Sequence, residues 1–371
     1  MNRSLLGGLS APAFLRRHWQ KTPLLVRGAM PGFGGVLDLR TMIDLTGRDD
    51  CESRLIVRNG RTWTVEHGPF PSSRFRRLPS SDWTLLVQGV DLLLQEARQL
   101  LSHFSFIPYS RLDDLMVSYA PDGGGVGPHF DSYDVFLLQG PGRRRWQVSR
   151  QRDLALREDI PLKILKSFRP QGEAVLEAGD MLYLPPHFAH DGQAIGDCYT
   201  YSIGFRAPSH RELASEFLMF LEEKLRLPGR YADPDLVIQD HPAEIGTAMI
   251  RKIGRVLRGI RWTSQDTVDF LGTHLTEPKQ QVRFNPPPRP LAFHAFVHAA
   301  RRCGVRLSPG SQILYSGAKL FINGEIAFAG PGALRKLADA RVLSGRRIPL
   351  AGGAAELLYQ WYRAGYISVI A

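Results

Sequence analysis

The sequence predicts a mainly β domain, a sandwich or barrel, followed by a helical region and a small α+β module of winged-helix type. Three observations predict this order. Short apolar or alternating runs separated by Gly, Pro and Asp turns fill the first two hundred residues or so. Four-residue spacing of apolar side chains takes over after Phe205. A proline-rich stretch, FNPPPRP at 284–290, then precedes a segment in which helices and strands mix. The expected boundaries are 1–207, 208–283 and 284–371.

The expected strands of the first domain are 24–26, 55–57, 62–66, 85–87, 115–119, 135–139, 145–148, 181–184 and 199–205, with helices at 11–21 and 90–101. Ser209 with Glu212 three residues on is a capping box that starts a helix. Leu213, Phe217, Leu221 and Leu225 form its stripe, and Pro228-Gly229 ends it. Two further helices fit 242–257 and 264–271. The stripe packs internally or against another chain. The third module reads as a helix at 291–303, strands at 312–316, 319–322 and 326–329, a helix at 332–340, a turn at 341–345 and a helix at 352–364.

Composition narrows the function classes. Three scattered cysteines, Cys51, Cys198 and Cys303, argue against a disulfide framework or a cysteine zinc cluster. No apolar run is long enough to cross a membrane. The opening residues lack the basic start and long apolar core of a signal peptide, so a cytoplasmic location is expected. Of the formal net charge of +11, residues 275–371 hold +9, with 13 Lys or Arg against 4 Asp or Glu. A basic end points to a phosphate-rich neighbour such as RNA or a ribosome, or to a solvated basic surface.

Chemistry concentrates in GPHFDSYDVFLLQGPGRRRWQV at 127–148. On a strand, residues i and i+2 share a face, so His129 and Asp131 can hold two positions around one metal. Alone, an H-x-D pair is also an ordinary surface or core pair. Downstream, LPPHFAHDG at 184–192 supplies His187 and His190. Two histidines and a carboxylate leave coordination positions open, the facial triad of non-haem Fe(II) oxygenases. Such donors also suit Mn or Zn. In the arginine run, alternation separates Arg144 from Arg143 and Arg145, so one set faces the interior. A buried guanidinium needs an anion, and a dicarboxylate such as 2-oxoglutarate supplies one.

Three stretches carry a wider resemblance: DLMVSYAPDGGGVGPHFDSYDVF at 114–136, QGPGRRRW at 139–146 and LPPHFAHDG at 184–192. With FLRRHWQKTPLLVR at 14–27 they resemble the bacterial ribosomal oxygenases, JmjC-type arginine hydroxylases. The resemblance implies a double-stranded β-helix (JmjC/cupin-like) catalytic domain, an α-helical dimerisation region and a C-terminal winged-helix-like domain. It implies iron ligands His129, Asp131 and His190, with Arg144 on the distal carboxylate of 2-oxoglutarate. Ser118 and Ser202 are weaker co-substrate candidates. The family usually has Gly where this chain has His187, and His190 keeps the ligand role because it directly precedes Asp-Gly.

The implied reaction uses Fe(II), 2-oxoglutarate and O2 to hydroxylate the β-carbon of an arginine in a large-subunit ribosomal protein, protein sixteen of the 50S subunit, and the implied assembly is a homodimer. Asp122 and Tyr133 are candidates for holding the substrate guanidinium, with a turn-forming Asp and a packed Tyr as the structural alternatives. A JmjC enzyme with another target, a histidine hydroxylase or lysine demethylase, shares the same triad. A non-enzymatic nucleic-acid-binding protein is the remaining alternative, and it leaves the third ligand and the arginine run unexplained.

Overall fold

The computed structural model describes residues 4–328, 332–349 and 353–370. The first strands and helices are β1 (Leu24–Val26), β2 (Ser53–Asn59), β3 (Thr62–His67), β4 (Trp83–Val87), β5 (Leu112–Ala120), β6 (Val135–Gln139), β7 (Arg143–Ser149), β8 (Gly172–Leu176), β9 (Met181–Leu184), β10 (Ala189–Ile195) and β11 (Cys198–Phe205), with α1 (Ala11–Arg17), α2 (Leu39–Thr46), α3 (Val90–Leu93) and α4 (Gln95–Ser102). Helices α5 (His210–Lys224), α6 (Thr247–Leu257), α7 (Ser264–Thr276) and α8 (Phe293–Cys303) follow. The end comprises β12 (Val305–Leu307), β13 (Ile313–Ser316), β14 (Lys319–Ile322), β15 (Glu325–Phe328), α9 (Gly332–Ala340), β16 (Val342–Leu343), α10 (Gly353–Arg363) and β17 (Ile367–Val369). Of the expected elements, Ala329 and Gly352 lie outside the described residues.

The chain divides into two compact units, Met1–Ala207 with Pro278–Gln312 and Pro331–Ala371, and Pro208–Glu277 with Ile313–Gly330. The segment 284–371 is thus distributed over both.

In the first unit an eight-stranded sheet, ordered β1-β9-β6-β11-β5-β4-β2-β3, faces a three-stranded sheet, β10-β7-β8. Strand alternation gives the large sheet two unlike faces. Leu115, Val117 and Tyr119 of β5, Phe136 and Leu138 of β6, Met181 and Tyr183 of β9, and Tyr201 and Ile203 of β11 point outward. There Phe14, Met42, Leu45, Val90, Leu100 and Leu101 of α1–α4 cover them in one apolar core. The intervening residues point inward, where Val135, Leu137, Leu182 and Leu184 meet Trp146 of β7 and Leu176 of β8. Ala120 meets Ala194 and Cys198 in the same interior.

All nine expected strands of this domain form. Strands β8 and β10 and helix α2 form without having been expected. β10 begins three residues after Pro186, so the proline pair ends one strand without excluding the next. The expected helix 90–101 breaks at Leu94, whose backbone is extended, into α3 and α4.

A buried polar network ties the start of β5 to the later segments of this unit. Asp91 accepts from the Leu115 N–H at 2.9 Å and from Arg98 at 2.7 Å, and Arg98 also donates to Gln312 at 2.7 Å. Buried Arg341 donates to the Ser308 and Ser311 carbonyls, each at 2.9 Å. Lys279 reaches Asp113 at 3.1 Å. Asp114 accepts from the Gly89 N–H at 3.3 Å. The C-terminal part holds the sheet β16-β12-β17 over Phe296, Val297, Leu358, Trp361 and Ile367, and Phe284 of the proline-rich stretch packs on Tyr366 at 4.6 Å.

In the second unit α5 carries the expected capping box at Ser209 and Glu212, and α7 has another at Thr263 and Asp266. α5 ends at Lys224, before Pro228-Gly229, because Leu225 turns extended. The sheet β13-β14-β15 brings Phe321 against Gly272 of α7, where a side chain has no room, and Lys319 donates to Asp269 at 2.7 Å. Much of the unit's apolar surface is exposed, including Leu236, Val237 and Ile238 and the α6 residues Met249, Ile250, Ile253, Val256 and Leu257. No helix among the described residues is long and apolar enough to cross a membrane.

Burial pushes the Asp114 carboxyl up from 3.8 to about 7, opposed by Lys279 and reinforced by Asp113 and Asp91. Between those values the folded chain holds a proton that the unfolded chain has lost, so stability falls as pH rises through the window. Asp114→Asn, which still accepts from Gly89, removes this dependence. Its unfolding free energy relative to the unsubstituted protein, from denaturant titrations, should climb from pH 4 towards pH 7.5 by up to roughly 1.4 kcal/mol per pH unit. A constant difference across that range would show that Asp114 titrates normally.

Candidate metal centre

The site is built where the two sheets close on each other. His129 and His190 form an isolated antiparallel bridge, with N–H to carbonyl bonds of 2.9 and 2.8 Å in the two directions. A reciprocal pair of this kind puts two side chains directly opposite each other, and the ring centroids are 4.2 Å apart. Asp131 follows two residues after His129, and its carbonyl is held by the His187 N–H at 2.7 Å. Among the described residues, His129, Asp131 and His190 bring ligand atoms within 4.8 Å of one another.

Each imidazole is oriented from behind. His129 Nδ1 lies 2.8 Å from the Gly127 carbonyl, and His190 Nδ1 lies 2.9 Å from the Phe188 carbonyl. A carbonyl can only accept, so both Nδ1 atoms carry the proton and both Nε2 lone pairs are free for a metal. His190 Nε2 lies 3.7 Å from an Asp131 oxygen. Burial, then the charge of His129, lowers the His190 pKa to about 4 against the opposing pull of Asp131. The imidazole is therefore neutral, as a ligand must be.

Arg144 is the inward member of the arginine run. It is 4% exposed, while Arg143 and Arg145 face solvent. Nη1 donates to the Gly192 carbonyl at 3.3 Å, but Nε and Nη2 have no partner. The guanidinium lies 5.8 Å from the Trp146 ring, whose centroid is also 5.8 Å from that of His190. The indole thus neighbours both the arginine and the nearer histidine. It is fixed by Gly192, where any side chain would enter the ring.

Ser118 and Ser202 are buried on the inward faces of β5 and β11. Thr200, two residues before Ser202 on β11, stands in register between Ser118 and Gln139, with a buried hydroxyl that has no partner. Thr200 and Trp146 Nε1, also unpartnered, were missed by sequence reading. The inward parity of β11 was the available signal for Thr200.

Tyr133 is 41% exposed, with its hydroxyl raised in pKa by burial and by Asp131 and Asp114. Asp114 and Tyr133 flank Gly204, at 3.5 and 3.8 Å from where a side chain there would begin. Asp134 turns the other way, into bonds with Tyr183 at 2.5 Å and Gln20 at 3.0 Å. Asp122 is exposed and accepts from the Gly196 N–H at 2.8 Å, which ties its loop to the turn between β10 and β11. His187 is exposed with φ of 64°, in the left-handed region that Gly enters freely. Its ring lies 5.8 Å from that of Phe130, and it is not in the ligand cluster.

Comparison with known proteins agrees with this geometry. Residues 99–213 match the JmjC domain, and residues 259–368 match the ROXA-like winged helix. The chain is 33% identical over 321 residues to the ribosomal protein uL16 3-hydroxylase of Escherichia coli K12, covering 85% of each chain. The X-ray structure of Escherichia coli YcfD superposes with a TM-score of 0.87 at 31% identity, covering 97% of this chain and 98% of that one. YcfD in complex with cobalt and 2-oxoglutarate, described as a ribosomal oxygenase, superposes with a TM-score of 0.82 over the same shares. A JmjC β-fold with an inward His-Asp-His cluster, joined to a winged-helix end and matched along nearly its whole length, places the chain in the ribosomal oxygenase family of JmjC proteins.

Proposed function

We propose that this chain is an Fe(II)- and 2-oxoglutarate-dependent oxygenase that hydroxylates the β-carbon of an arginine in large-subunit ribosomal protein uL16. The observation that carries the reading is Arg144, a buried guanidinium with two unpaired polar nitrogens, near the His-Asp-His cluster. An uncompensated buried cation is costly, and a dicarboxylate that reaches from the metal to Arg144 compensates it. The donors fit iron, with two imidazole nitrogens, one carboxylate, no thiolate and coordination positions left open. Bound there, iron and 2-oxoglutarate supply with O2 the oxidising power to insert one oxygen atom into a C–H bond, releasing succinate and CO2.

The protein's own part is binding, orientation and exclusion of water. His129, Asp131 and His190 are the proposed ligands. Arg144 orients the far carboxylate, with Ser118 and Ser202 lining the inward wall and Trp146 alongside. The apolar interior around Leu137, Leu182 and Leu184 keeps bulk water out. For the substrate guanidinium, Tyr133 with Asp114 is the better-supported seat, because the carboxylate of Asp122 already accepts from the Gly196 N–H of a separate turn. A cation entering beside Asp114 would favour its ionised form.

Two further partners belong to this reading. A second copy of the chain covers the exposed apolar face of α6 and the 236–238 segment, since so much contiguous apolar surface is seldom left to water. Ribosomal RNA meets the basic C-terminal end. The setting for both is the cytoplasm.

Purified enzyme with Fe(II), 2-oxoglutarate and air should add one oxygen to uL16 by intact mass, and fragmentation should place it on an arginine. His129→Ala should add none. If 2-oxoglutarate is consumed without a mass gain, the substrate assignment fails and the oxygenase stands. Arg144→Ala should raise the 2-oxoglutarate concentration for half-maximal rate roughly tenfold to a hundredfold, with Arg144→Lys between. An unchanged value would remove Arg144 from the pocket. Ile250→Asp with Ile253→Asp should halve the sedimenting mass, and an unaltered mass would place the self-association elsewhere or nowhere.

A further inference from the structure

Four exposed arginines of the C-terminal end are brought around one backbone contact in the first unit. Residues 291–307 contain Arg301, Arg302 and Arg306 and no Asp or Glu, and residues 341–349 contain Arg341, Arg346 and Arg347 and again none. Arg341 is buried and bonded to carbonyls. The others are not absorbed in this way. Arg301, Arg302, Arg346 and Arg347 are exposed, and none of the four makes an ion pair among the described residues.

The fold brings them together. Gly345 packs so tightly on the Arg301 carbonyl at the end of α8 that no side chain fits between. The pair at 301–302 and the pair at 346–347 therefore border one contact. Val305 and Leu307 of β12 turn into the core with Phe296 and Ala300 of α8, so Arg306, half-buried with its Nε enclosed, lies on the opposite side of the sheet and outside this cluster. The platform is rigid, because Phe296, Leu343, Leu358 and Trp361 are all buried beneath it.

Helix electrostatics account for arginines in the last turn of α8, but not for Arg346 and Arg347. A surface built only for solubility intersperses both signs. Four exposed arginines with no acidic residue on the elements that carry them instead give a positive field matched to a polyanion, and guanidinium pairs with phosphate in bidentate geometry.

We propose that the end of α8 and the 345–347 turn form a binding surface for the phosphate backbone of RNA. The choice of RNA as polyanion rests on the ribosomal substrate proposed above; the surface itself does not. It would hold the enzyme near ribosomal RNA while the catalytic pocket takes its protein substrate.

The test is fluorescence anisotropy of a labelled RNA duplex with the full-length protein over a range of salt, alongside a DNA duplex and anionic phospholipid vesicles. The expected result is RNA binding that weakens steeply with salt. Arg301→Ser, Arg302→Ser, Arg346→Ser and Arg347→Ser combined should lower the slope of log K against log salt by about 3. The four corresponding Lys substitutions should keep most of it. Hydroxylation of free uL16 should be unchanged in both variants, which separates this proposal from the catalytic one. Absence of RNA binding at low salt, an unaltered slope in the Ser variant, or binding to vesicles but not to RNA would each overturn it. Equal binding to the DNA duplex would overturn the choice of RNA.

Discussion

The two-residue alternation of the large sheet is the constraint on which everything else rests. Each central strand sends one set of side chains into the helix-covered core and the other into the space between the sheets. Phe136 and Tyr201 are fully buried on the first side, while Ser202 and Gln139 stand on the second. The helical layer on the outer face fixes the register. A slip of one residue would put Phe136 in the space between the sheets and Leu137 under the helices. The site therefore inherits its precision from a core that never touches it.

Within that frame the metal centre is an edge feature rather than a central one. His129 lies outside the regular strands and is tied to β10 by a single bridge. Backbone carbonyls of Gly127 and Phe188 set the tautomers from behind. Deeper in, the interior holds a cation and several hydroxyl and amide groups that the protein does not pair among themselves. Arg144, Trp146, Thr200 and Gln139 each retain an unpartnered polar atom. Buried polar groups are ordinarily satisfied, so their concentration between the sheets marks the place where a polar small molecule belongs.

The opening of β5 shows a different use of buried charge. Asp91 is satisfied by Arg98 and a backbone N–H, whereas Asp114 has one long backbone bond and the nearby Lys279. Lys279 and Gln312 come from segments far along the chain, yet they share this cluster with α3, α4 and β5. The region beside the proposed guanidinium seat is thus assembled from both ends of the first unit.

Much of this was legible in the sequence. Turn residues and alternation locate nine strands, the Ser209–Glu212 box locates the start of α5, and parity separates Arg144 from Arg143 and Arg145, while the resemblance picks Arg144 as the inward one. The resemblance implies the three candidate ligands that the fold brings together. Strand β10 was missed because Pro185-Pro186 reads locally as a stop, and its pairing with β7 is decided by residues some forty positions away. Asp122 was chosen as a carboxylate in a glycine-rich loop, but its partner Gly196 is distant in sequence. Asp114 was passed over because its burial follows from neighbours on α3 and from Lys279. The sequence by itself determined the period of each element, the donor types and the sign of the charge, since these are properties of residues and their spacing. Tertiary structure alone decided which donors converge, which polar atoms lose their water and which arginines border one contact, because those depend on segments that meet only when the chain is folded.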